Sequence, residues 1–553
     1  MLVALAQGVA SASPNAFVPA DHWTYTALYR LAARGLAPLW TTSARPLPRL
    51  ELARMVADAL ERAAQRETTP MSEGVRADLA ALRDEFADEL RALAAARAGQ
   101  PLPAAVAVGV AGTARLLDGA PPRFVRHTGG GVELTRLSLA GRFGDVAAWA
   151  GHEPLWWGPG YRGAFLLSEN TGSLTSLTVT LASGPLRVTK LIAPLSAPGV
   201  LPAPPVPSML TSPGPLALLA TPAPSERYLY GLRVDWLARD DLRVGFGEVM
   251  VGVGGLSPLY ALNVVPGLAY AIALRVRAPT YDDNYNFTLD VEWRPRPGIV
   301  VYAEAYVDDL VGPGNPFPHR LGGTAGLFLA DPFADGRTSV RFEHSRATNW
   351  IYATPNPAGA YIRDGRALGH WCAPDCELWS VAVVRALSPA ASLTVGYDLI
   401  RKGEGVLGQT WTDPDDARRR YYLSGVVETT HALRVVAIWT HRLSHRPPAG
   451  FGVASPSGLL PAHLAGTTDL SLPGNVGSGD VRATAAAWSS GEPRLPGPRA
   501  APRLASTGQM ASMPAGELRL AATAVWSSTS NAEHVAGATR QGWFFLMEAA
   551  YGF

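Results

Sequence analysis

The chain has 553 residues, a net charge of +2, and 17% charged against 47% hydrophobic residues. That balance gives no bulk field for nucleic acid, and the charge content is below the roughly 25% of typical soluble domains. No apolar run reaches the ~18 residues of a membrane-spanning helix, so a chain resident in lipid would have to cross as a closed barrel.

The first segment, residues 1–16, holds Met1-Leu-Val-Ala-Leu-Ala and then Ala10-Ser-Ala12. It reads as the end of a secretory signal with a small-residue cleavage site, or as a disordered tail. Residues 17–98 are helical in pattern. Val75, Leu79, Leu82, Phe86, Leu90 and Leu93 recur at spacings of three and four, with Arg and Glu opposite. Leu50, Ala53, Val56, Ala57 and Leu60 make an earlier stripe. Two or three amphipathic helices are expected, forming a small bundle. Phe17-Val-Pro-Ala-Asp-His-Trp23, Tyr25, Leu28, Leu31, Gly35-Leu36 and Pro46-Leu-Pro-Arg49-Leu-Glu51-Leu-Ala53 resemble a surface-layer homology repeat over residues 17–60. Arg49 and Glu51 match its Thr-Arg-Ala-Glu segment, while Pro48 and Leu50 replace the Thr and Ala. The resemblance implies cell-wall polymer as a partner. The alternative is a bundle packed on the periplasmic side of a barrel.

Residues 99–103, with Gln100-Pro-Leu-Pro103, mark a linker. From 104 to 553 the sequence reads as short strands and turns. In Tyr228–Leu237, Val301–Asp308 and Leu433–Trp439 apolar side chains fall on one parity and polar or small ones on the other. The clearest case is 284–294. Tyr285, Phe287, Leu289, Val291 and Trp293 alternate with Asn284, Asn286, Thr288, Asp290, Glu292 and Arg294. A strand turns successive side chains to opposite faces. The chain ends on a similar stripe, Trp543, Phe545, Met547, Ala549, Tyr551 and Phe553, which resembles the last strand of bacterial outer-membrane barrels. The fold expected is therefore mainly β, a transmembrane antiparallel β-barrel behind a small helical bundle. At roughly 25 residues per strand with its loop, about 18 strands are expected, within 16–20. The Pro-, Ala- and Ser-rich stretches 194–226 and 484–515 read as long loops, both expected on the outer side.

Residues 151–172 contain Trp156-Trp157-Gly-Pro-Gly160, Arg162, Gly163 and Leu166-Leu-Ser-Glu169-Asn170. A second constellation is Tyr361-Ile-Arg-Asp-Gly365, Leu368-Gly-His370, Trp371 and Pro374-Asp375. Together they resemble the signature of the Wzi capsule-assembly family, over about 104–553. The resemblance implies an outer-membrane barrel with an N-terminal helical bundle, holding capsular polysaccharide in a lectin-like manner. The residues themselves suit that chemistry. Indole faces stack on the apolar faces of pyranose rings, and Arg162 and Glu169 can bond hydroxyls or carboxylates. Trp156, Trp157, Arg162, Glu169, Asn170, His370, Trp371 and Asp375 are thus the candidate polysaccharide ligands. The competing reading makes the tryptophans part of an interfacial aromatic girdle, and the Gly-Pro-Gly turn an inward brace.

Cys372 and Cys376, four apart, read as a short-loop disulfide of an oxidising compartment. With His370 they give three of the four ligands a structural zinc needs, so no metal is expected. His370 with Asp375 and Glu377 is expected to satisfy hydrogen bonds rather than catalyse. His152-Glu153, Gly252-Val-Gly254-Gly255 and Ser168-Glu169-Asn170 lack the contexts of a metalloprotease helix, a nucleotide loop and a nucleophile elbow. Glu248, Glu304, Asp308 and Glu343, with Arg233, Arg341 and Arg434, are expected to form a lumen network. The function expected is non-catalytic: binding or organising capsular or exopolysaccharide, without a cofactor, in contact with outer-membrane lipid. A small-solute channel and an envelope tether through residues 17–98 are the alternatives.

Overall fold

A computed structural model describes residues 17–39, 44–66, 71–100, 106–118, 131–143, 145–196, 226–265, 283–309, 316–354, 356–411, 413–443 and 516–552. The signal-like tail, most of the linker and of 194–226, all of 484–515 and Phe553 lie outside the described residues.

Sixteen antiparallel strands close into a barrel among the described residues. They are β1 Val106–Asp118, β2 Gly131–Phe143, β3 Val146–Glu153, β4 Leu174–Ser183, β5 Leu186–Leu195, β6 Arg227–Arg239, β7 Leu242–Val253 and β8 Asn284–Arg296. The series continues with β9 Ile299–Asp309, β10 Arg320–Ala330, β11 Thr338–Ala347, β12 Cys376–Ser388, β13 Ala391–Lys402, β14 Glu428–Leu443, β15 Gly516–Ser530 and β16 Thr539–Gly552. Each pairs with its sequence neighbours, and β16 returns to β1 with Phe545 opposite Asp118 and Gly552 opposite Ala111. Sixteen is the lower end of the expected range. The estimate of eighteen spread residues evenly over strands, whereas two long connections here are spent inside the barrel.

The alternation drives the closure. On β8, Asn286, Thr288, Asp290 and Glu292 are buried in the lumen, while Leu289 is 59% and Trp293 45% exposed on the outside. On β16, Trp543, Phe545 and Met547 point outward, whereas Phe544 and Leu546 are buried. Leu177, Trp236, Val301, Trp379, Val395, Leu433 and Trp439 continue the outer apolar surface over other strands. Large apolar side chains exposed over so many neighbouring strands are what the outer face of a membrane-spanning barrel presents.

The two rims differ. Short turns join β2 to β3, β4 to β5, β6 to β7, β8 to β9 and β12 to β13 at one end. Longer connections lie at the other, including 154–173, 348–375 and 403–427. The expectation for the two long stretches splits here. Leu195 and Arg227, which flank the first, pair at the long-connection end. Leu443 and Gly516, which flank the second, pair at the short-turn end. Strand parity, invisible from the composition of the stretch, decides this.

Four helices precede the barrel: α1 Trp23–Ala33, α2 Arg49–Gln65, α3 Glu73–Glu85 and α4 Ala87–Arg97. His22 and Ser72 cap α1 and α3 with side-chain acceptors. The spacing of the stripe from Val75 to Leu93 runs on through Phe86 without marking a boundary, and the described residues hold four helices where two or three were expected. The stripe breaks at Phe86, whose buried ring lies 4.8 Å beneath the Arg49 guanidinium. Arg49 Nε also donates to Glu89 (2.6 Å) and Nη1 to Glu85 (2.9 Å), so one buried cation clamps both halves to α2. The apolar face formed by Leu28, Leu31, Val56, Leu79 and Leu82 packs into one core with Val300, Phe328 and Ala330 of the barrel. Gly298 N, in the β8–β9 turn, donates to Ala33 O (2.8 Å), and Tyr29 Oη reaches Glu292 (3.2 Å). The bundle thus closes the short-turn end. Among the described residues no helix is long and apolar enough to cross a membrane, which says nothing about crossing by strands.

Candidate functional site

The connection 154–173 leaves β3 at the long-connection end, dips through the lumen as far as the bundle, and returns to β4. At its lowest point Trp156 and Trp157 pair as an extended dipeptide with Arg45 and Ala44. The turn that follows needs its glycines. Gly158 has φ 142°, and a side chain there would strike Ala164 and Glu304; one at Gly163 would come within 2.6 Å of the His370 ring.

The wall holds this segment by its backbone. Glu343 of β11 accepts from the amides of Tyr161 and Arg162 (2.7 Å to Arg162), and from Tyr302 Oη (2.8 Å). Glu304 of β9 accepts from Phe165 N (3.1 Å). Arg162 bonds Asp398 of β13 (3.1 Å), which also holds Arg434 (2.6 Å) and Ser380 (2.7 Å). Most of the expected lumen charges are therefore found, and several of them grip the inserted loop. Arg233 and Arg243 form a separate buried cluster with Asp235, Asp290 and Glu292 at 2.6–2.9 Å, braced by Tyr29 of α1 at Glu292.

The second inward segment, 348–375, locks onto the first. Ser168 N donates to Leu368 O (3.0 Å), Ser168 Oγ to Gly369 O (2.6 Å), Tyr352 Oη to Phe165 O (2.7 Å), and Asn170 Nδ2 to Ala367 O (2.9 Å). His370 stacks on Phe165 at 4.8 Å and lies beside Trp371 at 5.7 Å. Its Nδ1 accepts from Cys372 N at 3.2 Å. Burial first, and the Arg162 charge second, hold the imidazole down to about 3, so it is neutral. Phe165, Leu166, Ile351, Tyr352, Tyr361 and Leu368 form a dry core inside the barrel. The two constellations read from the sequence thus come together as one plug.

The eight candidate residues divide by exposure. Trp157, His370 and Asp375 are fully buried. Asp375 accepts from Gly405 N (3.0 Å) and Ser424 Oγ (2.6 Å), pinning the 403–427 connection. Trp156, Arg162, Glu169, Asn170 and Trp371 are half-buried. Trp371 donates through Nε1 to Arg162 O (2.7 Å), with the Arg162 guanidinium 5.5 Å over its ring. Cys372 and Cys376 are joined by a disulfide that ties the plug to the first residue of β12. Among the described residues no cluster of His, Cys, Asp or Glu could hold a metal. In the bundle, Arg49 is occupied as above and Glu51 pairs with Arg187 of β5. Sequence reasoning missed Asp398, Tyr352 and Tyr306 as plug partners. Lumen parity was the one available signal for Asp398 and Tyr306, which lie on strands; Tyr352, in the connection 348–375, had none.

The family described as Capsule assembly protein Wzi matches residues 61–442. The chain belongs to the Wzi family. Among solved structures, Wzi of Escherichia coli, described as an outer-membrane, carbohydrate-binding β-barrel involved in group 1 capsule assembly, aligns at TM-score 0.53 and 12% identity. The alignment covers 97% of this chain and 99% of that one, and it supports the fold. OccK10 of Pseudomonas aeruginosa aligns at TM-score 0.34 and 9% identity over 82% of this chain and 98% of that one. No curated protein sequence matches the chain. This Wzi-family chain is an outer-membrane barrel, and the Trp156–Asn170 run is one of the two segments of its plug.

Proposed function

We propose that this protein holds capsular or exopolysaccharide at the cell surface, without performing chemistry on it. The carrying observation is the plug: two inward connections, bonded to each other and to Glu304, Glu343 and Asp398, build a packed core inside the lumen. Such a barrel is a platform rather than a conduit. The E. coli relative, described as a carbohydrate-binding barrel, supports the same reading. Trp371 and Arg162 are the plug residues best suited to a sugar ring, because they keep part of an aromatic and a cationic surface uncovered. Trp157, His370 and Asp375 brace them. The short-turn end, with the bundle, faces the periplasm, and the long connections face outward. The belt of Leu289, Trp293 and Trp543 contacts outer-membrane lipid.

Deleting the gene and partitioning polysaccharide between cells and medium tests this. The expected result is glycan moved from the cell fraction to the medium at unchanged total. Unchanged cell association would contradict it, and a fall in total glycan would point to synthesis or export instead.

A further inference from the structure

Between α1 and the inner wall, at the short-turn end, lies a cavity of about 320 Å³. That is at the lower end of the range for small-molecule sites and suits one sugar residue or a chain end. Trp23, Tyr25, Tyr29, Trp156, Tyr161 and Phe328 line it, a wall of flat apolar surfaces. Its charges are unevenly matched. Arg30 is committed to Asp78 (2.6 Å), and Arg519 to Asp21 (2.9 Å). Arg341 has no such commitment. Its guanidinium lies among Tyr29, Tyr161, Phe328 and Tyr302 at 4.8–5.5 Å from their centroids, and no described acceptor lies within hydrogen-bonding distance. Arg45 lies 4.8 Å over Tyr25 and donates Nη1 to Ala20 O (3.3 Å); its buried Nε has no partner among the described residues. Of the two lining carboxylates, Asp21 is held by Arg519, and Glu169 acts on the Arg45 guanidinium.

Arg341, half-buried with Glu343 as its nearest described carboxylate, keeps its fork toward the cavity, and a buried guanidinium nitrogen without an acceptor, as at Arg45 Nε, is costly; such a planar fork fits a carboxylate with two parallel bonds. Aromatic faces at the same site fit a pyranose ring. We infer that this cavity is a second saccharide site, on the periplasmic side, for a sugar residue bearing a carboxylate: a hexuronate, with the acid on Arg341 and Arg45 and hydroxyls toward Glu169. The inference deepens the polysaccharide reading and rests on it for the sugar class. The plug would then meet glycan at both ends, through Trp371 outside and Trp156 inside.

The test uses the purified full chain in detergent, with glucuronate and glucose as probes. Binding is followed by calorimetry and by the change in intrinsic tryptophan fluorescence, with Trp23→Phe and Trp156→Phe used to assign the part that arises at the cavity. Saturable glucuronate binding, at least tenfold tighter than glucose and weakened by salt, is expected. Arg341→Gln should lose tenfold or more. Ser392→Trp, which fills the cavity from β13 without touching the arginines, should abolish binding, with folding checked by heat-modifiable gel mobility. Equal binding of glucose, no saturable glucuronate binding, or binding unchanged in both variants would overturn the inference. Capture of extracted surface polysaccharide is measured on the same preparations. Capture with no glucuronate binding removes the cavity site alone, whereas glucuronate binding with no capture removes the surface reading and leaves the cavity standing.

Discussion

Asp375 shows how a residue chosen for its chemistry can serve the fold instead. Its backbone is left-handed, φ 54°, and its carboxylate accepts from Gly405 N, Ser424 N and Ser424 Oγ under complete burial. Asp375→Ala leaves these donors unsatisfied, each a loss of about 1–3 kcal/mol, so a destabilisation of ~3–5 kcal/mol is expected in chemical denaturation. Asp375→Asn, which tolerates the same backbone and keeps one acceptor oxygen, should lose less. His370 carries a pH signature. Its folded-state value is about 3 against an ordinary 6.5, so the unfolded chain binds a proton that the folded chain does not. Stability is complete above about 6.5 and declines as pH falls toward 3. Thermal midpoints measured across that range should show a smaller decline in His370→Asn. A decline of equal size would assign the effect to other groups.

At the scale of elements, the first plug segment is anchored to the wall by backbone amides on two glutamates and by Arg162 on Asp398, so weakening those anchors should loosen it without the barrel falling apart. The double variant Glu304→Ala, Glu343→Ala removes the acceptors of both anchors. Planar-bilayer recordings should be silent for the native protein and show discrete steps for the variant, and trypsin should cut after Arg162 in the variant first. Stable large steps from the native protein would favour a channel. Strands were legible in the sequence because their parity is local. The period-two alternation of 284–294 needs no tertiary knowledge, and Asp290 and Glu292 fell on the lumen face as read. The break at Phe86 was not legible, because it depends on Arg49, 37 residues away. The plug was half legible. Gly-Pro-Gly announced an inward turn, but its partners Asp398 and Tyr352 come from distant strands and connections. Nor did composition reveal that Leu443 and Gly516 pair at the short-turn end, since that follows from counting strands.

For the molecule as a whole, the apolar belt, the closed ladder and the core packed inside the lumen point the same way. Closure leaves no strand edge in lipid, the belt fixes the barrel in the membrane, and the plug with its bundle turns a pore into a rigid support. Cutting the bundle from the barrel, by Arg187→Ala with Tyr29→Phe, should loosen the short-turn end and lower the thermal midpoint by several degrees while the belt stays embedded. Glycan retention on cells should then persist, because the outward connections are untouched. The most direct test of the central claim is capture of polysaccharide, extracted from the native cell surface, by the purified folded protein immobilised in detergent. The account predicts saturable retention that weakens in Trp371→Ala with Arg162→Met. No retention by a protein whose heat-modifiable mobility shows an intact barrel would contradict it.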